Sequence, residues 1–320
     1  MAFRAHIRDA IQRGRAQPGG DDVLHALLRR VGTEIETETD YETLSDSDIL
    51  GNSFQLILGG HETVATSMQL AMIFLALNTQ AQKNVQHDID RIVGQRPPEE
   101  WTYNGDLPQL LESWVSAVMQ EGLRLVPPVP FVLIRAAGNQ TATFDGVPTP
   151  IPSGTFVSLS QLDAHRNPKY WPHKPSANSQ GQENDLEEFR PERWFVSSID
   201  EKPQMPNKKR SSFRPQRGVY FPFSEGTRAC VGRRFAQIEY TTALAVIFHS
   251  YSIELDVREW VSDADLDRMA PAERDAVWQR AAKRTRDTIR NDMNLIMTMH
   301  LKQQTSFPIR LVERDHEHFR

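Results

Sequence analysis

Apolar residues recur along most of this chain at helical spacing, most densely from Ser45 to Asn78. Ile49, Leu50, Phe54, Leu56, Ile57, Leu58, Met68, Leu70, Met72, Ile73 and Leu75 leave almost no polar face there. This predicts one long buried helix, opened by Ser45-Asp46 as cap residues. A second helix is expected after Gly232, where Phe235, Ala236, Ile238, Leu244, Val246, Ile247 and Phe248 keep helical spacing without a proline. A third runs from about Leu110 to Arg124 and is stopped by Val126-Pro127-Pro128-Val129-Pro130, because proline cannot donate and restricts the residue before it. Near the start, Asp22–Arg30 reads as a short amphipathic helix and Thr33–Thr43 as an acidic, polar linker.

Strand patterns are few. Phe131–Ile134 is an apolar strand closed by Arg135. Asp145-Gly146 marks a tight turn, and Ile151-Pro152-Ser153-Gly154 marks another before a strand over Thr155–Leu159. Lys174–Glu188, rich in Ser, Gln and Asn, reads as a surface loop. Ser262–Asp292 is charged throughout and broken at Pro271. Beyond that proline Val277, Ala281, Thr285 and Ile289 recur every four residues, which predicts an exposed helix packed along one narrow stripe. Leu295–Leu301 and Pro308–Val312 read as closing strands. The expectation is a mainly α fold with minor β, in a single domain over residues 1–320.

Composition narrows the function classes. Hydrophobic residues make up 39% and charged residues 25%, ample for a buried core. A net charge of −5 and a pI of about 6.1 argue against a nucleic-acid binder. One cysteine in 320 residues excludes an intrachain disulfide framework and fits a reducing compartment. The longest apolar run, Leu70 to Leu77, is far short of the roughly 20 residues that span a bilayer. Arg4, His6, Arg8 and Asp9 interrupt the start, so no signal peptide is read there.

That single cysteine lies in Phe223-Ser224-Glu225-Gly226-Thr227-Arg228-Ala229-Cys230-Val231-Gly232, the pattern F-x-x-G-x-R-x-C-x-G. Five fixed residue types at this spacing arise by chance in roughly one chain of this length in ten thousand. Each position suits a thiolate that ligates iron. A helix N-terminus stabilises the negative sulfur. Gly226 permits a turn with positive φ, and Gly232 lets backbone approach a flat macrocycle. Phe223 can wall the sulfur off from water, and Arg228 offers donors to a carboxylate. The bland alternative is an ordinary buried thiol.

On these residues the chain resembles the cytochrome P-450 family of haem-thiolate monooxygenases, the class whose haem is held by a cysteine thiolate. Other segments carry the resemblance further. Gly59-Gly60-His61-Glu62-Thr63 is similar to the family's A/G-G-x-D/E-T motif on the helix crossing the distal face of the haem. Adjacent glycines cost a helix about 1 kcal/mol each relative to alanine, and room for dioxygen is one reason to keep them. Glu121-Gly122-Leu123-Arg124 and Phe189-Arg190-Pro191-Glu192-Arg193-Trp194 look like the segments whose three charges, here Glu121, Arg124 and Arg193, lock together on the proximal side. Trp194 replaces the usual Phe. His165-Arg166-Asn167-Pro168 resembles a family loop, and a metal-ligand role for His165 is poorly supported.

The resemblance implies haem b with Cys230 as its axial ligand, and Phe223, Gly226, Arg228, Gly232 and Arg135 as cofactor-binding residues. It implies Thr63 and Glu62 as the catalytic pair that handles protons. Residues 45–78 would be the distal helix, and 221–249 the cysteine loop with its helix. Implied too are an NADPH-dependent flavin reductase as electron donor, approaching Lys208, Lys209, Arg210, Arg214, Arg217, Arg233 and Arg234, and a lipophilic substrate against Phe54, Leu58, Val132 and Leu133. No nucleic acid is expected as a partner. A fungal role in secondary metabolism and the cytosolic face of the endoplasmic reticulum complete the expectation for a whole family member. The matches run from about Ala26 to Val312 and correspond to the C-terminal part of such a member, short by roughly 150 residues at the N-terminus and without its anchor. Two alternatives stay open: an offshoot that isomerises or dehydrates a peroxide, and a truncated, non-catalytic form with weak or no haem binding.

Overall fold

The computed structural model describes all residues except 1, 18, 21, 30–43, 177–182, 196–212, 296–297, 303–304 and 320. The acidic linker and the cluster Lys208, Lys209 and Arg210 therefore lie outside the described residues. The chain is mainly helical with minor β, in two compact units, Met1–Glu62 and Thr63–Arg320.

The first unit contains α1 (Ala2–Ala16), α2 (Val23–Leu28) and the first half of α3 (Asp46–Leu77). Helix α1 is rich in charged residues, and among its described side chains Ile7 and Ile11, one turn apart, are buried against Ile49 and the leucines of α2. So narrow a stripe escaped the sequence pattern. Asp22 caps α2 by accepting the His25 N–H at 2.8 Å. Ser45 and Asp48 cap α3 reciprocally, with Ser45 N–H donating to the Asp48 carboxylate at 2.9 Å and Asp48 N–H to Ser45 Oγ at 3.2 Å. The long helix has nearly its expected limits but is not buried throughout. Phe54, Leu56, Ile57 and Leu58 are exposed. An apolar pattern is realised as burial only where other elements pack around it, and that holds for Leu70–Ala76, not for this stretch.

In the second unit, α3 continues through Leu77 and is followed by α4 (Thr79–Val93), the short α5 (Leu107–Leu110) and α6 (Trp114–Leu125). One core joins Ala71 and Leu75 of α3, Val85 and Ile89 of α4, and Val115 and Val118 of α6 to Leu244 and Phe248. Helix α6 begins four residues later than its apolar pattern suggests. Ser113 Oγ accepts the Val115 N–H at 3.1 Å and buried Asp88 accepts the Trp114 N–H at 3.0 Å, so its start is fixed by caps.

Strands β1 (Phe131–Arg135), β2 (Gln140–Phe144), β3 (Val147–Ile151) and β4 (Phe156–Ser160) form two antiparallel pairs, β1 with β4 and β2 with β3. Asp145 and Gly146, at φ 48° and 81°, make the two-residue turn between β2 and β3. Helix α7 (Gln161–His165) follows, then the cysteine loop and α8 (Arg233–Ser250). The expected surface loop over Lys174–Glu188 is corrected at its end, where one 3-10 turn buries Asp185 and Leu186 because buried Arg124 takes the Leu186 carbonyl at 2.8 Å.

Strand β5 (Tyr251–Leu255) leads to α9 (Asp263–Arg268) and α10 (Pro271–Asp292). Ala281 and Thr285 of α10 are buried, as the four-residue stripe predicts. The closing region holds three strands, β6 (Met293–Leu295), β7 (Met299–Leu301) and β8 (Ile309–Glu313). Strand β8 pairs with β5, and the other edge of β5 is closed by a side chain. Gln82 of α4 accepts the Ile253 N–H at 2.7 Å and donates to its carbonyl at 3.2 Å. The amide thus stands in for a neighbouring strand. Gln82→Leu leaves both groups buried and unpaired and is expected to destabilise the protein by about 1–3 kcal/mol, read as a lower urea midpoint.

Candidate functional site

The site is built outward from a fully buried ion pair. Spacing of three residues on α6 puts Glu121 and Arg124 on one face, and both side chains are inaccessible to solvent. They bond in parallel, Nε to Oε2 and Nη2 to Oε1, each at 2.8 Å. A charge pair this deep is costly unless the remaining donors and acceptors are met. Arg124 donates further to the carbonyls of Leu186 at 2.8 Å and His165 at 3.2 Å, and stands 5.5 Å from the centre of the Trp171 ring. Glu121 accepts the Arg190 N–H and the Trp194 indole N–H, both at 3.0 Å, with Arg193 Nε at 3.6 Å. The three charges therefore come together as expected.

Trp194 adds what sequence reasoning missed. The substitution for Phe was visible, but only the structure places its indole N–H on Glu121. Arg193 also pairs with buried Asp185 at 3.4 Å. Burial acts to raise the Asp185 carboxyl, yet the Lys174 amide together with Arg193 and Arg190 holds it below the usual range.

From this cluster the fold passes to the cysteine loop through His165. The ring is fully buried, and its Nε2 accepts the Phe221 N–H at 3.0 Å, which leaves the proton on Nδ1. Nδ1 faces the carbonyls of Leu123 and Arg124 without closing a full hydrogen bond. Burial, and next the Arg124 cation, push this imidazole down to about 3. Tyr220 is clamped as well, its hydroxyl donating to the Gln120 carbonyl at 3.2 Å and its ring 4.8 Å from that of Trp194.

Phe221 opens a tight loop. Ser224 N–H returns to the Phe221 carbonyl at 2.9 Å, with Ser224 at φ 58° and Gly226 at φ 79°. Gly226–Arg228 form a single 3-10 turn. Cys230 N–H then donates to the Phe223 carbonyl at 2.9 Å, and Gly232 caps α8 two residues later. A Cβ on Gly232 would lie 3.9 Å from the Cys230 sulfur. The thiol is exposed, not walled off. Phe223 packs towards the core beneath the Arg233 guanidinium, 5.8 Å away, and contributes its carbonyl instead. Arg228 is exposed, and Val231 is 91% exposed.

The remaining expected residues stand elsewhere on the scaffold. Arg135 ends β1, opposite Phe156, its guanidinium 3.6 Å from where a Cβ on Gly154 would lie. Val132 and Leu133 are on the same strand, Leu133 66% exposed. Glu62 closes the first unit and Thr63 opens the second; both are half-buried, and Ser67 Oγ donates to the Thr63 carbonyl at 2.7 Å. Among the described residues, a Cβ on Gly59 or Gly60 would meet nothing within 4 Å. Of the basic residues near the loop, Arg214, Arg217, Arg233 and Arg234 are described, and Arg217 Nε lies 3.6 Å from Glu225 Oε2.

The family model for cytochrome P450 matches residues 2–271. The chain belongs to the cytochrome P450 family. It is 30% identical to cytochrome P450 3A13 of Mus musculus over 219 residues, covering 68% of this chain and 37% of that protein. A cytochrome P450 monooxygenase of Arthrobotrys oligospora is 26% identical over 278 residues, 79% of this chain and 45% of that one. The monooxygenase ORF6 of Penicillium roqueforti is 29% identical over 245 residues, with 73% and 40% covered. The crystal structure of the cytochrome P450 CYP102L1 aligns with a TM-score of 0.64 at 21% identity, over 97% of this chain and 55% of that one, a likeness of fold. The chain thus spans less than half the length of these curated relatives. The family match ends at Pro271, where α10 begins.

Members of this cytochrome P450 family hold haem iron through a cysteine thiolate. The residues present fit that group. Cys230 offers an accessible sulfur just ahead of a helix, Gly232 keeps the backbone low beside it, and Arg228 and Arg135 are cations of the kind that propionates require.

The scaffold can be tested at two of its buried side chains. Trp194→Phe removes one donor from buried Glu121 and should lower stability by about 1–3 kcal/mol in denaturant titrations. His165 supplies a pH dependence. Below about pH 6.5 the unfolded chain protonates this histidine while the native ring stays neutral down to about 3, so the unfolded state binds more protons and stability falls with falling pH. Between pH 6 and 4 the parent should lose about 1.4 kcal/mol per pH unit more than His165→Gln.

Proposed function

We propose that Cys230 is the axial ligand of a haem b iron and that this chain forms the haem-binding, C-terminal part of a monooxygenase acting on a lipophilic molecule. The observation that carries this is the exposed thiol held at the start of α8 by the Phe223 carbonyl, within a loop secured to a buried ion-pair cluster. When bound, the haem supplies dioxygen activation: substrate, dioxygen, two electrons and two protons yield hydroxylated or epoxidised product and one water. The protein supplies the rest. Arg228 and Arg135 orient the cofactor through its carboxylates. Thr63 holds a hydroxyl, and Glu62 a carboxylate, that pass protons toward the oxygen site. Val132 and Leu133 offer apolar surface to the substrate.

Electrons come from an NADPH-dependent flavin reductase, and the arginines around the loop favour an acidic docking face. The fungal relatives are named as monooxygenases, and a role in secondary metabolism is part of this proposal. The whole protein belongs on the cytosolic face of the endoplasmic reticulum; among the described residues no helix is long and apolar enough to cross a membrane.

Haem-loaded, dithionite-reduced protein under carbon monoxide should give the absorption band of thiolate ligation, and Cys230→Ala should lose it. The same band in the alanine variant overturns the ligand assignment. No haem band in the parent favours instead a form that does not bind haem.

A further inference from the structure

We infer that His165 is a positioning residue for the cysteine loop, acting as a neutral hydrogen-bond acceptor that fixes where the loop leaves the ion-pair scaffold. The two ends of this residue face different structures. Its carbonyl accepts from Arg124, so the main chain at 165 is fixed by the Glu121–Arg124 pair. Its ring nitrogen accepts from the main chain of Phe221, the first residue of the loop. The ring has no freedom to do otherwise, with no solvent exposure and with Tyr220 and Phe221 rings at 5.0 and 5.4 Å.

Downstream of that contact the loop propagates position through its own main chain. The Phe221 carbonyl accepts from Ser224, and the Phe223 carbonyl accepts from Cys230. Ser224 takes up left-handed backbone that non-glycine residues rarely adopt, and Gly226 beyond it makes a positive-φ turn open to glycine, so the path holds one residue in a sparsely populated conformation. A strained path needs an external anchor at its start, and His165 provides it. The chemistry demands an acceptor. A backbone N–H in this buried setting costs about 1–3 kcal/mol if left unpaired, and protonation of Nε2 would present a donor to a donor. The low basicity of the ring agrees with this geometry, keeping Nε2 available as an acceptor above about pH 3.

The test separates an acceptor from a space-filler, in the full chain without added haem. His165→Phe keeps a planar ring and removes the acceptor, whereas His165→Gln can place an amide oxygen near the position of Nε2. Hydrogen exchange followed by mass spectrometry on peptides spanning 213–223 should show the Phe221 amide opening at least about tenfold faster in His165→Phe, with His165→Gln within about threefold of the parent. The matched result in haem-loaded protein, which rests on the proposed Cys230 ligation, is partial loss of the thiolate band in His165→Phe and its retention in His165→Gln. Equal exchange in the two variants, whether both protected or both open, overturns the inference. Because exchange is read without haem, a parent that binds no haem counts against the proposed function alone, and the Phe221 amide still decides the role of His165.

Discussion

Burying Glu121 and Arg124 without solvent is the constraint on which the second unit depends. Isolated charges at that depth cost several kcal/mol each, so the pair persists only if the fold delivers a partner for nearly every donor and acceptor. Those partners come from far along the sequence: carbonyls at His165 and Leu186, the Arg190 amide and the Trp194 indole. Segments with little regular structure of their own are thereby drawn onto α6. Lys174–Glu188 is polar enough to read as a free loop, yet Asp185 and Leu186 are inside because Arg124 requires what their backbone offers.

The same requirement explains the position of the cysteine. The Cys230 thiol is exposed, and the loop is located by main-chain bonds at Phe221, Phe223 and Ser224 and by the start of α8. This arrangement leaves the thiol accessible while main-chain hydrogen bonds hold the backbone behind it. An enclosed thiol would have been more ordinary for a lone cysteine, and the Phe223 ring expected beside it packs against the core.

Much of the helical scaffold was legible because it follows local rules: α3 and α8 lie within a few residues of their apolar patterns, and the Asp145-Gly146 hairpin turns where its residues require. The cysteine loop was legible from five residues at fixed spacing. What was not legible is relational. Ser113 and Asp88 together decide where α6 starts, although Asp88 is on another helix. Gln82 closes the edge of β5 from 171 residues away. His165 could be read as a poor metal ligand from the absence of neighbours at metal spacing, but its bond to Phe221 joins residues 56 apart. Exposure at Phe54 and Leu56–Leu58 was hidden for the same reason, since an apolar face says what could be buried and not what covers it.

The two ends of the proposed reaction space are therefore built on different physics. On the cysteine side, polar bonds in a dry interior fix position to within hydrogen-bonding distance, and a single lost acceptor propagates along the loop. On β1 and β4 the surface is apolar and open, with Leu133 and Phe156 about two-thirds exposed at 66% and 65%. Burying a side chain of that size contributes about 1.5–3 kcal/mol without imposing direction. A lipophilic substrate of the proposed kind would meet no fixed direction there, whereas Cys230 in its proposed role would tolerate little displacement. Substrate preference should thus drift readily through changes on β1 and β4, while Glu121, Arg124, His165 and Cys230 remain coupled as one structural unit.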